Sequence, residues 1–331
     1  MEGQGESGFF AYGAVRHRFV RWCGEGDVRD EGGVCGEGGA RGDGGCGEGD
    51  RGEGRAGVPL VLVHGFAQSA GSWEDVALQL AFGRAVYAFE LVGHGGSDCP
   101  DDETAYELSA QAEALLAFLD YVAEREAFAC GAAGGEARPV VVGYSLGGRV
   151  ALTAACRAAQ AFNQRASGLV LESAGLGPAT SEERVAAAGR DAANAERLRD
   201  QGLRAFMDAW ERLPLFATQR ALPPEVRERV RAGRLANDAE ALARTFMHAG
   251  QHAMPARDEV LSTLRLLADC GVPVLYLAGN LDEKYRLLAK PLEAQHFCAT
   301  TLITPAGHNI HLEAPAQYCE TINAFAAAVC R

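Results

Sequence analysis

Apolar residues in this chain fall into short continuous runs separated by longer stretches with a helical rhythm. The runs are Leu60–Val63, Ala85–Phe89, Val140–Val142, Leu169–Leu171, Val272–Leu277 and Thr300–Ile303. Between and after them lie Ala105–Ala127, Leu146–Ala161, Pro255–Asp269 and Pro315–Val329, each of helical length. Strands without polar alternation, interleaved with helices, predict an α/β fold with a parallel sheet covered on both faces. From about Thr180 to Met254 the alternation stops; this interval is helical and rich in Arg, Ala and Glu, which predicts a cap over one end of the sheet. Phe9 to Trp22 reads as strand, and residues 24–57 then set it apart from the rest. Those 34 residues hold 15 glycines, nine acids and four arginines. A tract so poor in apolar side chains cannot offset its ordering entropy, so a flexible insertion is expected, the expanded connection of a hairpin. The expected organisation is an N-terminal strand or hairpin over 1–23, the insertion over 24–57, core over 58–179, helical cap over 180–254 and core again over 255–331.

Charge narrows the partners. The 331 residues carry 31 basic against 44 acidic side chains, a net charge of −13. Nucleic-acid binders present a basic face, so this balance argues against a nucleic-acid partner. No apolar run approaches the ~18 residues of a membrane span, and Met1-Glu2-Gly3-Gln4 lacks the basic and apolar regions of a secretory signal. The expectation is a cytoplasmic protein, not inserted in a membrane, and monomeric. Ten cysteines with no C-x-x-C spacing read as reduced thiols buried as small hydrophobes. His248 and His252 are separated by Ala-Gly-Gln, without the glutamate of a metalloprotease helix, so no metal is expected. There is no Walker A string, and Gly93-His94-Gly95-Gly96 departs from dinucleotide spacing, so no cofactor is expected either.

The chemistry lies in Val140-Val141-Val142-Gly143-Tyr144-Ser145-Leu146-Gly147-Gly148-Arg149. A strand runs into G-x-S-x-G and then into a helix, which places Ser145 on a strained turn at a helix N-terminus. Such a serine needs an acid and a histidine later in the chain. Asp282, in Gly279-Asn280-Leu281-Asp282 after the penultimate strand, and His308, in Pro305-Ala306-Gly307-His308 after the last, would share its sheet edge. Glu283 and Glu172 are rival acids, and His311 reads as structural. His64-Gly65-Phe66 follows the first core strand; the Phe66 amide, with that of Leu146, is the expected oxyanion hole, and His64 is expected to brace the loop. Arg149 stands one helical turn beyond Ser145, where it invites a substrate carboxylate unless a neighbouring acid pairs with it.

These features resemble the α/β-hydrolase fold across roughly Val58–Cys330, a mostly parallel central sheet flanked by helices with a helical cap. One departure is Glu90-Leu91-Val92, where that family commonly shows Asp-x-Pro. The string Val142–Leu152, the cap's Trp210 with Leu213-Pro214-Leu215-Phe216-Ala217, Gly279–Tyr285, and Gly307-His308-Asn309-Ile310-His311-Leu312-Glu313 resemble the SHCHC synthase (MenH) family. The resemblance implies a lyase that eliminates pyruvate from 2-succinyl-5-enolpyruvyl-6-hydroxy-3-cyclohexene-1-carboxylate, with Ser145, His308 and Asp282 acting as general base. It implies a small polycarboxylate partner held by Arg149, with Tyr144 beside the serine among the substrate contacts. Trp210 and Phe216 form either an apolar wall over the ring or ordinary cap core. The family's cap arginines near 187–188 are Ala187 and Ala188 here, so Arg184 or Arg190 is expected to substitute, with Arg234 and the edge residue Lys284 completing the set. The alternative is a carboxylesterase or C–C bond hydrolase using the same triad.

Overall fold

Continuous apolar runs become the interior strands of an eight-stranded sheet in a computed structural model that describes residues 5–23, 57–129 and 138–329. The strands are β1 (Glu6–Tyr12), β2 (Val15–Cys23), β3 (Leu60–Val63), β4 (Ala85–Phe89), β5 (Val140–Tyr144), β6 (Gly168–Glu172), β7 (Val274–Gly279) and β8 (Ala299–Ile303). Their order is β1-β2-β4-β3-β5-β6-β7-β8. Strands β3 to β8 are parallel, while β1 and β2 form an antiparallel edge on β4. Period-two alternation divides each strand between two cores. Val61, Val63, Val141, Leu169 and Leu171 face one cluster with the helices Leu108–Ala129 and Leu146–Arg157; Leu60, Leu62, Val140, Val142 and Val170 face the other, with Glu74–Leu80 and Pro315–Val329.

Three local expectations are corrected. The hairpin connection is Gly13-Ala14, between β1 and β2, where Gly13 supplies a φ of 57°. Residues 24–56, most of the predicted insertion, lie outside the described residues and follow β2. The stretch Leu146–Ala161 divides at Ala158, whose φ of −154° ends one helix and precedes the next, Ala159–Arg165. Of the six cysteines within the described residues, only Cys319 is buried; Cys23, Cys99 and Cys270 are exposed at a strand end, a loop and a helix C-cap, where the chain turns to solvent. Cys35, Cys46, Cys130 and Cys330 lie outside the described residues.

Between β6 and β7 the chain forms the helices Ser181–Trp210, Pro224–Leu235 and Ala239–Ala249 with short 3-10 turns. The Thr180 hydroxyl accepts the Glu183 N–H, and the Glu183 carboxylate accepts that of Ala179, so donors at the start of the first helix are satisfied. Gly202, at φ 77°, interrupts that helix where a Cβ would be strained. Leu198, Phe206, Met207, Leu242 and Phe246 make a cap core, and Ala67 and Phe66 of the main body enter it. The cap is thereby docked beside the loop that follows β3. Among the described residues no helix is long and apolar enough to cross a membrane.

Glu90 shows what stands in place of Asp-x-Pro. Its fully buried carboxylate accepts N–H groups from Ala70 at 2.9 Å and Gly96 at 2.7 Å and pairs with Arg18 at 2.9 Å. One side chain therefore ties β2 to the loops after β3 and β4. Glu90→Leu is expected to remove about 3–5 kcal/mol of stability, read as a lower urea midpoint at unchanged slope, because two amides and a guanidinium lose their acceptor together.

Candidate active site

The order of the strands reverses at β3, which has β4 on one side and β5 on the other, and ligands of open α/β sheets bind in the crevice at such a switch point. Ser145 follows β5 there. Its φ of 49° and ψ of −101° are strained for a residue with a side chain, and the flanking glycines make them attainable. A Cβ at Gly143 would stand 2.6 Å from the Cα of Gly148, and one at Gly147 would collide with the carbonyl oxygen of Val63. The turn directs Oγ to His308, whose Nε2 lies 3.2 Å away; His308 Nδ1 lies 2.8 Å from Asp282 Oδ2. Asp282 caps the helix Glu283–Ala294, its other oxygen accepting the Tyr285 N–H, so the carboxylate cannot swing away. All three side chains are buried. Chemically, such a chain lets imidazole take the hydroxyl proton while the carboxylate holds the resulting cation.

The rival acid Glu172 does something else. Its main-chain carbonyl accepts the Ser145 N–H at 2.9 Å, and its side chain accepts the N–H groups of Ile310 at 2.7 Å and His311 at 3.1 Å. His311 Nδ1 adds contacts of 2.9 and 2.8 Å to the two carboxylate oxygens, with Trp73 stacked on its ring. On the near side of His308, Glu313 accepts the Gly307 and Asn309 N–H groups. The histidine loop is thus held from both flanks by carboxylates. Glu283 is exposed and stands apart from this network.

A cavity of about 210 Å³ adjoins Ser145 and His308. Phe66, Leu146, Tyr144, Arg149, Trp210, Phe216, Arg190, Arg234 and Lys284 all line it. Arg184 does not: its guanidinium donates to the main-chain carbonyls of His252 and Met254, because the turn of residues 252–254 crosses that end of the cap helix. Ala187 lines the cavity, and Arg190, one turn on, is the arginine of this helix that reaches it. Among the described residues Arg149 has no ion pair; it donates to the Ala249 carbonyl at 3.3 Å and its buried Nε has no partner, while Asp191, the acid that lines the same cavity, is engaged by His252 at 2.9 Å. Arg234 is buried, paired with Glu211 and set over the Phe216 ring. Burial, reinforced by the Glu172 charge, raises the Tyr144 phenol well above its ordinary value, so it is a neutral donor. Gln68, Asn194, Thr245 and Gln251 also line the cavity. Isolated polar residues without a characteristic spacing carry no signal in the sequence.

Two more histidines support the loop beside Phe66. His64 Nε2 accepts the Leu91 N–H at 3.1 Å and Nδ1 contacts the Gly65 carbonyl at 2.8 Å; His94 packs against it. Burial pushes His64 down to about 4, and burial plus the neighbouring His64 pushes His94 down to about 3.

Residues 60–321 match the alpha/beta hydrolase family, and the chain belongs to that family. Within it, 2-succinyl-6-hydroxy-2,4-cyclohexadiene-1-carboxylate synthase of Salmonella agona is 31% identical over 270 residues, covering 81% of this chain and 94% of its own. The structure of MenH from S. aureus is similar with a TM-score of 0.71 and 27% identity, over 82% of this chain and 94% of that one. A thermophilic esterase from Thermogutta terrifontis shares the fold with a TM-score of 0.66 at 22% identity, over 98% and 99% of the two chains.

Protonation of the two loop histidines sets an acid limit. Unfolded, each binds a proton near pH 6.5; folded, His64 does so only near 4 and His94 near 3. Their contribution to stability is whole above pH 6.5 and declines as pH falls toward those values. Urea unfolding between pH 6.5 and 5 should show a loss of about 2 kcal/mol per histidine, reduced in His64→Gln.

Proposed function

We propose that this chain is an SHCHC synthase, a carbon–oxygen lyase of menaquinone biosynthesis that eliminates pyruvate from 2-succinyl-5-enolpyruvyl-6-hydroxy-3-cyclohexene-1-carboxylate. The observation that carries the reading is Arg149. It is a cation one turn past the serine, lining the cavity, without an acidic partner among the described residues and with a buried N–H unsatisfied. A carboxylate is the ligand that completes it. Arg190 and Lys284 add positive charge at the same wall, which suits a substrate with three carboxylates. The similarity to Salmonella and S. aureus proteins supports the same assignment.

In this reading His308 accepts the Ser145 proton, and the serine oxygen removes the proton from the ring carbon that bears the succinyl ketone. The C–H electron pair enters the ring, the existing double bond shifts by one position, and the C–O bond to the enolpyruvyl group breaks. The enolate of pyruvate leaves and takes up a proton. Negative charge that develops on the ketone oxygen is held by the Phe66 and Leu146 amides, and Asp282 stabilises the imidazolium. Trp210 and Phe216 bound the ring, while Tyr144 and Arg234 contribute donors to the wall. No step requires a cofactor.

Purified protein supplied with enzymatically prepared substrate should release pyruvate, followed through lactate dehydrogenase. Ser145→Ala should lower kcat by ~10³-fold, and Arg149→Ala should lower kcat/KM about 10- to 100-fold. No release above the spontaneous rate, together with ester turnover indifferent to Arg149→Ala, would instead indicate a carboxylesterase or C–C bond hydrolase.

A further inference from the structure

The cap contains a second cavity, of about 310 Å³, between the 3-10 stretch Pro214–Ala221 and the helix Pro224–Leu235. It shares Phe216 and Arg234 with the wall of the cavity at Ser145. Four guanidinium groups line it, from Arg220, Arg227, Arg231 and Arg234, against the carboxylates of Glu211 and Glu228. Arg231 is engaged by Asp208 and Glu211, and Arg234 by Glu211 at 3.1 Å. Among the described residues Arg220 donates only to the Arg212 carbonyl, at 3.3 Å, and Arg227 has no ion pair. Two exposed cations therefore stand at this cavity with no carboxylate holding them, in a protein whose net charge is −13.

A second observation points inward. Gln219 is 8% exposed and lines the same cavity. Its Oε1 accepts from Arg234 at 3.1 Å, and this settles the orientation of the amide, because a guanidinium can only donate. The Nε2 group is left buried with no acceptor. Buried donors are normally paired, so an unpaired one on a side chain that lines a cavity marks where an acceptor belongs. The rest of the wall is apolar: Leu222, Pro224, Val230 and the Phe216 ring.

We infer that this cap cavity is a ligand site separate from the one at Ser145, and that it takes a small carboxylate with an apolar ring. The carboxylate meets Gln219 Nε2, Arg220 and Arg227, and the ring lies against Leu222, Val230 and Phe216. Guanidinium forks and an amide donor match a planar carboxylate, and the apolar wall rewards a body that a bare inorganic anion lacks. The volume lies at the lower end of small-molecule sites, which limits the occupant to one ring with short substituents. Occupancy is coupled to the first cavity through the two shared residues, since the Phe216 ring also packs 6.1 Å from that of His308.

Benzoate is the probe, titrated calorimetrically into full-length Arg149→Ala protein so that the cavity at Ser145 contributes little. Saturable binding is expected. Addition of Arg220→Ala and Arg227→Ala should weaken it at least about ten-fold, as should Gln219→Leu, which keeps the volume and removes the donor. Acetate and benzyl alcohol, each carrying one half of the recognised chemistry, should bind at least about ten-fold more weakly than benzoate. Arg220 and Arg227 are exposed, so the double variant keeps its fold, and circular dichroism checks this. The inference is overturned if millimolar benzoate gives no binding heat, if the Arg220/Arg227 variant binds it unchanged, or if acetate binds as tightly as benzoate. Because binding is the readout, the outcome does not depend on which reaction occurs at Ser145.

Discussion

A single buried carboxylate, that of Glu172, joins the two loops on which the site depends. Nucleophile and histidine come from strands that are not neighbours in the sheet, so their separation of 3.2 Å is not set by strand pairing alone. The last residue of β6 bridges the gap, with its main chain fixing the serine turn and its side chain fixing the helix that begins just after His308. An anion at the first amides of that helix is also where helix electrostatics favour one. His311 and the stacked Trp73 then cover the carboxylate from solvent. A residue that reads from sequence as a rival for the catalytic acid is instead the brace between the two halves of the relay.

The acidic composition describes the surface and says little about the interior of the cap. Arginines at both cap cavities are sorted by partner. Arg231 and Arg234 are neutralised by acids of the cap itself, whereas among the described residues Arg149 and Arg220 donate to main-chain carbonyls and to no carboxylate. A carbonyl dipole orients a guanidinium without cancelling its charge, so each such arginine is held in position and still attracts anions. Low dielectric around Arg149 amplifies that attraction relative to an arginine in open water.

Much of this arrangement was legible because it rests on period and spacing. Continuous apolar runs marked the inner strands, G-x-S-x-G marked the strand-to-helix turn, and parallel topology brought Asp282 and His308 to the same edge as Ser145. What escaped depends on contacts between distant segments. Arg184 lies on the same helix face as Ala187, and only the position of the 252–254 turn diverts it from the cavity to a pair of carbonyls. The connection of the N-terminal hairpin is the two-residue turn at Gly13-Ala14, a far weaker compositional signal than the glycine-rich tract over 24–57. Composition ranks residue types by burial, while exposure at Cys99 or Cys270 follows from where a loop or helix happens to end.

The hydrogen bond from Arg149 to the Ala249 carbonyl has a consequence for how charge and shape are divided at this position. One N–H of a rigid planar fork is anchored on a cap carbonyl, so the plane of the guanidinium at the cavity wall is set before any ligand arrives. Lysine in the same place would retain the positive charge but lose the plane. An ammonium on a flexible stem cannot hold one carbonyl and present a parallel pair of donors at once. At this site, preserving the charge and preserving the geometry are different requirements, and the main-chain oxygen of Ala249 is the reason they separate.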